Sequence, residues 1–97
     1  MRGVSDLSDV VRVRVVISGR VQGVWFRDAC YQEAVACGVS GWVRNNPDGT
    51  VEAAFEGPRP AVGLLADWCR VGPARAVVVD VEEFPEAPIG EQGFRVR

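Results

Sequence analysis

The sequence of 97 residues contains no histidine, and all 11 of its basic residues are arginine. Without histidine the chain lacks the commonest general base and the commonest metal ligand of proteins, and a phosphohistidine intermediate is excluded. Without lysine it can form neither a Schiff base nor a lysine clamp on a phosphate. Any chemistry must therefore depend on arginine, asparagine, carboxylates, hydroxyl groups or the backbone.

Cysteine is scarce, with three residues at Cys30, Cys37 and Cys69. An odd number of cysteines in a chain with no export signal indicates reduced thiols. Cys30 and Cys37 lie on one predicted helix about 10 Å apart along its axis, which is too far for a disulfide. The spacing of the three cysteines matches no zinc site and no further ligand is available, so we expect no metal.

Long hydrophobic runs and an excess of positive charge are absent as well. No apolar run approaches the roughly 20 residues of a membrane span, and 47% hydrophobic with 25% charged residues is a globular composition. The net charge of −2 argues against nucleic acid as a partner. We expect a flexible leader at residues 1–9, which does not resemble a secretory signal, and one domain at residues 10–97. The protein is expected to be a cytoplasmic monomer.

A segment punctuated by glycines, residues 19–27 (GRVQGVWFR), connects an alternating apolar strand to a helical pattern. Gly19 and Gly23 can adopt backbone conformations closed to residues with a Cβ, so successive N–H groups can converge at the start of the helix. Arg27 adds a planar, permanent charge that suits a phosphoryl group. The predicted phosphate-binding residues are Gly19, Arg20, Val21, Gln22, Gly23, Val24, Trp25, Phe26 and Arg27. Taken alone, the segment also fits a plain turn whose glycines only permit tight packing.

A second segment, residues 41–51 (GWVRNNPDGTV), predicts two antiparallel strands joined by a tight turn. Pro47 presets the turn and Gly49 accepts the positive φ that closes a hairpin. Asn45 places an amide side chain at the end of the first of these strands. That amide is either a site residue or a cap on the turn.

Together the two segments resemble the acylphosphatase family, whose pattern is G-R-V-Q-G-V-x-F-R followed by G-W-V-[RK]-N-x-x-[DN]-G-x-V. No position departs from the pattern, and the resemblance covers residues 10–97, because residues 93–97 also look like the family's last strand. It places the family's phosphate-binding arginine at Arg27 and its water-orienting asparagine at Asn45. It implies hydrolysis of an acyl phosphate to carboxylate and inorganic phosphate by direct attack of water, without metal or cofactor.

Hydrophobic periodicity predicts a ferredoxin-like α+β fold in the order β-α-β-β-α-β, with a short extra strand at the end. The strands are expected at residues 11–17, 39–45, 50–56, 75–84 and 94–97, and the helices at residues 26–38 and between Pro60 and Gly72. The right-handed crossover rule folds this order into an antiparallel sheet with both helices on one face. In the strand at 75–84, the alternation directs Val77, Val79 and Val81 toward the core. The carboxylates Glu52 and Glu56, with Arg44, are expected in solvent.

Two other classes of function fit the same fold. An RNA-binding module would present aromatic side chains on the central strands, but the outward residues there are Arg12, Arg14 and Val16. A regulatory domain could keep the phosphate pocket and bind a phosphorylated ligand without turnover, and phosphate release discriminates it from an enzyme.

A motif of another kind, C-x5-R at residues 69–75, matches the pattern of cysteine-dependent phosphatases. That chemistry needs the thiolate after a strand and the arginine at the start of a helix. Here Cys69 ends a predicted helix and Arg75 begins a strand. The context is therefore inverted, and we predict no thiol chemistry.

Overall fold

The computed structural model describes residues 9–97, with two helices and five strands. In chain order these are β1 (Val10–Arg20), α1 (Phe26–Cys37), β2 (Ser40–Asn45), β3 (Val51–Pro58), α2 (Arg59–Cys69), β4 (Val77–Glu86) and β5 (Phe94–Val96). The element order and the ferredoxin-like fold are confirmed. The expected leader, residues 1–9, lies outside the described residues except for Asp9. Neither helix of residues 9–97 is long and apolar enough to cross a membrane.

The five strands form one sheet in the order β4-β1-β3-β2-β5. The four long strands pair antiparallel as predicted, but β5 pairs in parallel with β2, with Phe94 opposite Gly41 and Val96 opposite Val43. An antiparallel sheet throughout was therefore wrong. The reason lies in the connection, because the chain leaves β4 at one edge, crosses to the other edge and reverses there. It thus runs beside β2 in the same direction.

The core lies between the sheet and the two helices, which pack on the same face. The alternation in β1 buries Val13, Val15 and Ile17 on that face. The helices cover them with one apolar stripe each, consisting of Phe26, Cys30 and Ala34 from α1 and Val62, Leu65 and Cys69 from α2. Burying one side chain of the size of valine or leucine contributes about 1.5–3 kcal/mol. This single core fixes both helices relative to the sheet.

The alternation in β4 fails at its first residues. Val81 is buried, but Val77 is exposed and Val79 is 76% exposed, while Val78 packs against the core. The register between β1 and β4 shifts there, since Ser18 pairs with Asp80 and the next residue of β1 pairs with Val78. Val79 is therefore the extra residue of a β-bulge. The side chains before it lie on the face opposite to the one that the alternation predicts.

Candidate active site

The predicted phosphate-binding loop connects the end of β1 to the first turn of α1. Gly19 has φ 127° and Gly23 has φ 74°, so both take the conformations predicted for them. A Cβ on Gly19 would collide with the carbonyl oxygen of Val77, where β1 and β4 approach at the bulge. Trp25, the residue before α1, is also left-handed with φ 66°. Left-handed residues at alternate positions are typical of backbone concavities that bind anions.

The backbone N–H groups of residues 22–25, in the second half of this loop, are free to receive an anion. Between residues described by the structure, none of the N–H groups of residues 22–25 donates a hydrogen bond to the protein. The loop also precedes the N-terminus of a 12-residue helix, whose dipole favours negative charge. Val21 and Val24 are buried and hold the loop in place, whereas Arg20 is exposed.

Arg27 and Asn45 face one cavity of about 250 Å³. The residues that line this cavity are Val21, Gly23, Trp25, Phe26, Arg27, Asp28 and Asn45. The structure thus brings the two predicted site residues together from different segments of the chain. Four of the residues predicted for the loop do not line the cavity, namely Gly19, Arg20, Gln22 and Val24. Asp28 was not predicted as a site residue, and its only signal in the sequence is its position directly after Arg27.

The guanidinium of Arg27 is held at one side. Its Nη1 donates a hydrogen bond of 3.2 Å to the backbone oxygen of Arg97, directly after β5. A guanidinium carries five N–H groups, so most of its donors stay available for a phosphoryl group.

Asn45 is the last residue of β2, where its backbone pairs with Val51. The turn that follows is stabilised by other side chains. Asn46 Nδ2 donates to the Thr50 hydroxyl (3.0 Å), and that hydroxyl donates to the Asp48 carboxylate (2.7 Å). The hydroxyl of Thr50 and then its backbone N–H lower the pKa of the Asp48 carboxyl by hydrogen bonding to it. Since Asn46 and Asp48 cap the turn, the side chain of Asn45 is not needed for that purpose.

The side chain of Gln22 joins the phosphate loop to the same turn. Its Nε2 donates to the backbone oxygen of Asn46 (2.8 Å) and to that of Thr50 (2.9 Å). The sequence predicted Gln22 only as part of the phosphate loop, and no local pattern predicts a contact across 24 and 28 positions.

The open face of the sheet, opposite the helices, carries a network of ion pairs instead of solvated charges. Glu52 is 8% exposed and Glu56 is 4% exposed, so the expectation that both lie in solvent was wrong. Arg44 is also not a free surface charge, since its guanidinium pairs with Glu52 at 2.9 Å. Alternation did place these residues on the outward face, but Arg12 and Arg14 converge on them there.

Glu56 has the densest set of contacts in this network. Arg12 Nη1 donates to its carboxylate (3.0 Å), and so do the backbone N–H groups of Ile89 (3.0 Å), Gly90 (2.8 Å) and Glu91 (3.1 Å). Burial raises the pKa of Glu56, but these donors outweigh burial and leave it below the ordinary value. Burial also raises the pKa of Glu52, but hydrogen bonds outweigh it and lower this pKa, and the bond from Arg44 has the largest effect among them. Glu56 therefore anchors the segment that connects β4 to β5.

The cysteines lie in or near the core as free thiols. Cys69 is fully buried as the last residue of α2, and a hydrogen bond with Cys30 together with burial raises the pKa of its thiol. A thiol of this kind is a poor nucleophile. Arg75 lies two residues before β4, so the C-x5-R segment has the inverted context that the sequence predicted. Within residues 9–97 no three acidic, cysteine or histidine side chains form a group that could hold a metal ion.

Comparison with known proteins gives one consistent result. The family model "Acylphosphatase" matches residues 13–96. An acylphosphatase of Rubrobacter xylanophilus is 55% identical over 97 residues, covering 98% of this chain and 87% of that protein. An acylphosphatase of Anaeromyxobacter dehalogenans is 52% identical, covering 94% and 99%.

The fold gives the same result. The solved structure of an acylphosphatase from Coxiella burnetii superposes with a TM-score of 0.88 at 34% identity, covering 92% of this chain and 94% of that one. An acylphosphatase from Bacillus subtilis superposes with a TM-score of 0.86 at 32% identity, covering 90% and 98%. The loop at residues 19–27 and the hairpin at residues 41–51 are therefore parts of a known kind of enzyme, and the chain belongs to the acylphosphatase family.

Proposed function

We propose that the cavity between Arg27 and Asn45 is where this chain hydrolyses acyl phosphates, and that it does so without a metal ion. The loop N–H groups and the Arg27 guanidinium hold the phosphoryl oxygens, and Asn45 orients the attacking water. The observation that carries this proposal is the shared cavity, which joins an anion-binding loop to an amide from a separate hairpin.

The reaction makes few demands on the protein. The water oxygen forms a bond to phosphorus while the bond between phosphorus and the acyl oxygen breaks, and its electron pair leaves with the carboxylate. A proton of the water passes to a phosphoryl oxygen, so inorganic phosphate and a carboxylate are released. A carboxylate is a good leaving group, and a loose phosphoryl transition state needs positioning and charge stabilisation more than a strong base. A site without histidine is therefore sufficient.

The experiment measures phosphate release from acetyl phosphate in excess EDTA and in water enriched in oxygen-18. We expect turnover at the rate seen without EDTA, with the label in phosphate and none in acetate. Loss of turnover in EDTA from protein that stays folded would contradict the metal-free mechanism. Label in acetate would show attack on the carbonyl carbon, and a burst of acetate ahead of phosphate would show a covalent intermediate. Binding of inorganic phosphate without turnover would instead favour a regulatory domain.

The same proposal includes the oligomeric state, the compartment and the partners of the enzyme. We propose that residues 10–97 form one domain that acts as a monomer in the cytoplasm and binds no nucleic acid. The free thiols support a reducing compartment. Arg12 and Arg14, the outward cations of β1, are paired with glutamates, so they offer little free charge to a nucleic-acid backbone. Gel filtration across a range of concentrations tests the monomer, and a single peak of monomer size is expected.

A further inference from the structure

The two halves of the site come from segments that are not neighbours in the sheet, since β3 lies between β1 and β2. The phosphate loop precedes α1, whereas Asn45 ends β2. In-line attack requires the water held by one half to lie at a fixed distance from the phosphorus held by the other. A shift of about 1 Å in such a geometry can lower the rate about 100-fold.

One side chain bridges these two segments directly. Gln22 lies within the loop, and its Nε2 donates both of its protons to the hairpin, at 2.8 Å to the Asn46 oxygen and 2.9 Å to the Thr50 oxygen. Asn46 directly follows Asn45, and Thr50 directly precedes Val51, the backbone partner of Asn45. One accepting carbonyl group therefore follows Asn45 directly in the chain. The other belongs to the residue before Val51, on the strand that pairs with Asn45.

The turn does not need Gln22 to keep its own shape. It is closed by the backbone hydrogen bond from Asn46 N to Thr50 O (2.8 Å) and by the side chains of Asn46 and Asp48. What Gln22 adds is the connection between this turn and the loop. We infer that Gln22 is a positioning residue for acyl phosphate hydrolysis, whose side-chain amide sets the distance between the phosphate loop and Asn45. This inference depends on the role proposed for Asn45.

The test uses two variants that remove the bridge in different ways. Gln22→Met keeps the length and volume of the side chain but has no donor, and Gln22→Asn keeps the amide on a chain one methylene shorter. We expect both to lower kcat at least 10-fold, with KM and inhibition by inorganic phosphate within about twofold of wild type, because the interaction serves the transition state. The matched control is Gln32→Met, on the exposed surface of α1. It should leave kcat, KM and phosphate inhibition unchanged.

A double-mutant cycle separates positioning from a general effect on stability. If Gln22 acts through Asn45, then Gln22→Met should lower kcat no further in a chain that already carries Asn45→Ala. Equal losses in both backgrounds would overturn the inference, as would a kcat within twofold of wild type for both single variants. A loss of phosphate inhibition as large as the loss of kcat would place Gln22 in phosphate binding instead.

Failure of the inference is distinct from failure of the proposed function. If the wild-type protein releases no phosphate from acetyl phosphate, the proposed function is wrong. If it does, and Asn45→Ala keeps the full kcat, the role of Asn45 is wrong and the inference falls with it. If Asn45→Ala is slow and both Gln22 variants are fast, the inference alone is wrong. Melting temperatures and circular dichroism of each variant confirm that folded proteins are compared.

Discussion

The guanidinium of Arg27 donates a hydrogen bond of 3.2 Å to the backbone oxygen of Arg97, a residue 70 positions later in the chain. Arg97 itself is held to β2, since its backbone N–H donates to the Val43 oxygen at 2.8 Å. Asn45 lies two residues further along the same strand. Both proposed catalytic residues are therefore positioned from β2, Asn45 directly and Arg27 through the chain that pairs beside it.

Replacement of Arg27 should remove both catalysis and product binding. We expect Arg27→Ala to lower kcat/KM at least 100-fold, since loss of a charged donor at a transition-state oxyanion costs about 3 kcal/mol or more. Inhibition by inorganic phosphate should disappear, while the circular dichroism spectrum stays that of the wild type. Arg59→Ala, which removes an exposed arginine on α2, is the control and should leave both kinetic constants unchanged. An activity of Arg27→Ala within a few-fold of wild type would show that Arg27 does not bind the phosphoryl group.

The adjacent residues Asn45 and Asn46 should differ in kind. Asn45→Ala is expected to lower kcat strongly with little change in KM or phosphate inhibition, because an oriented water matters mainly in the transition state. Asn46→Ala removes a cap of the turn but keeps the carbonyl that Gln22 contacts, so it should lower stability by about 1 kcal/mol and spare most of kcat. Kinetics and urea unfolding of the two variants show which asparagine carries the catalytic amide, and the reverse pattern would assign it to Asn46.

The buried network on the open face should make stability depend on acid. The pKa of Glu56 is lowered from 4.5 in the folded protein, so its contribution is complete above that pH and is lost as the pH falls through the lower folded value. Glu56→Gln should therefore be destabilised at pH 7, by about 1.5–3 kcal/mol, the usual contribution of a hydrogen bond to a charged group, because Arg12 keeps Glu86 and Glu91 as partners. It should also lose less stability than the wild type as the pH falls below 4.5.

The control for this prediction is Glu83→Gln, which breaks the exposed pair with Arg70. A surface pair of this kind contributes less than about 1 kcal/mol, so urea unfolding of this variant at pH 7 should resemble the wild type. Parallel pH profiles for Glu56→Gln and wild type would contradict the role given to Glu56.

The backbone at Trp25 predicts a stabilising substitution. Trp25 is the single residue other than glycine with positive φ in residues 9–97, and it is 73% exposed. A bulky side chain in this conformation costs about 1 kcal/mol, whereas asparagine tolerates it. We expect Trp25→Asn to raise the free energy of unfolding by up to this amount in urea titrations. A destabilised variant would mean that the indole makes contacts that outweigh the backbone conformation.

The fold was predictable from the sequence because it depends on local signals, and the two principal site residues were proposed from local motifs. Alternation and helical spacing identify each element, and the resemblance of the two motifs to the acylphosphatase family places the expected site at Arg27 and Asn45. The roles of those two residues stay predictions until the variants above are measured. The direction of β5 was not predictable, because it depends on where the preceding loop crosses the sheet rather than on the residues of the strand.

Contacts between side chains on different strands were also not predictable from the sequence. Alternation shows that Glu52 and Glu56 point outward, but it does not show that Arg12 and Arg14 meet them on the same face and bury them. The contacts of Gln22 with the hairpin and of Arg27 with Arg97 join residues at least 24 positions apart. A single sequence carries no periodic signal at that range, so these links emerge only from the folded chain.

The hydrogen bond between Arg27 and Arg97 has a consequence for folding kinetics. Its two residues meet only after β5 has docked, and β1 must also close with β4, where Arg12 lies opposite Glu86. Contacts between distant parts of a chain form slowly, since the entropy of closing long loops is lost before the contacts stabilise them. In a refolding experiment, the competent site should therefore mature among the last events. Recovery of phosphate release would then report when the whole native topology is complete, and the circular dichroism signal of the helices would return earlier.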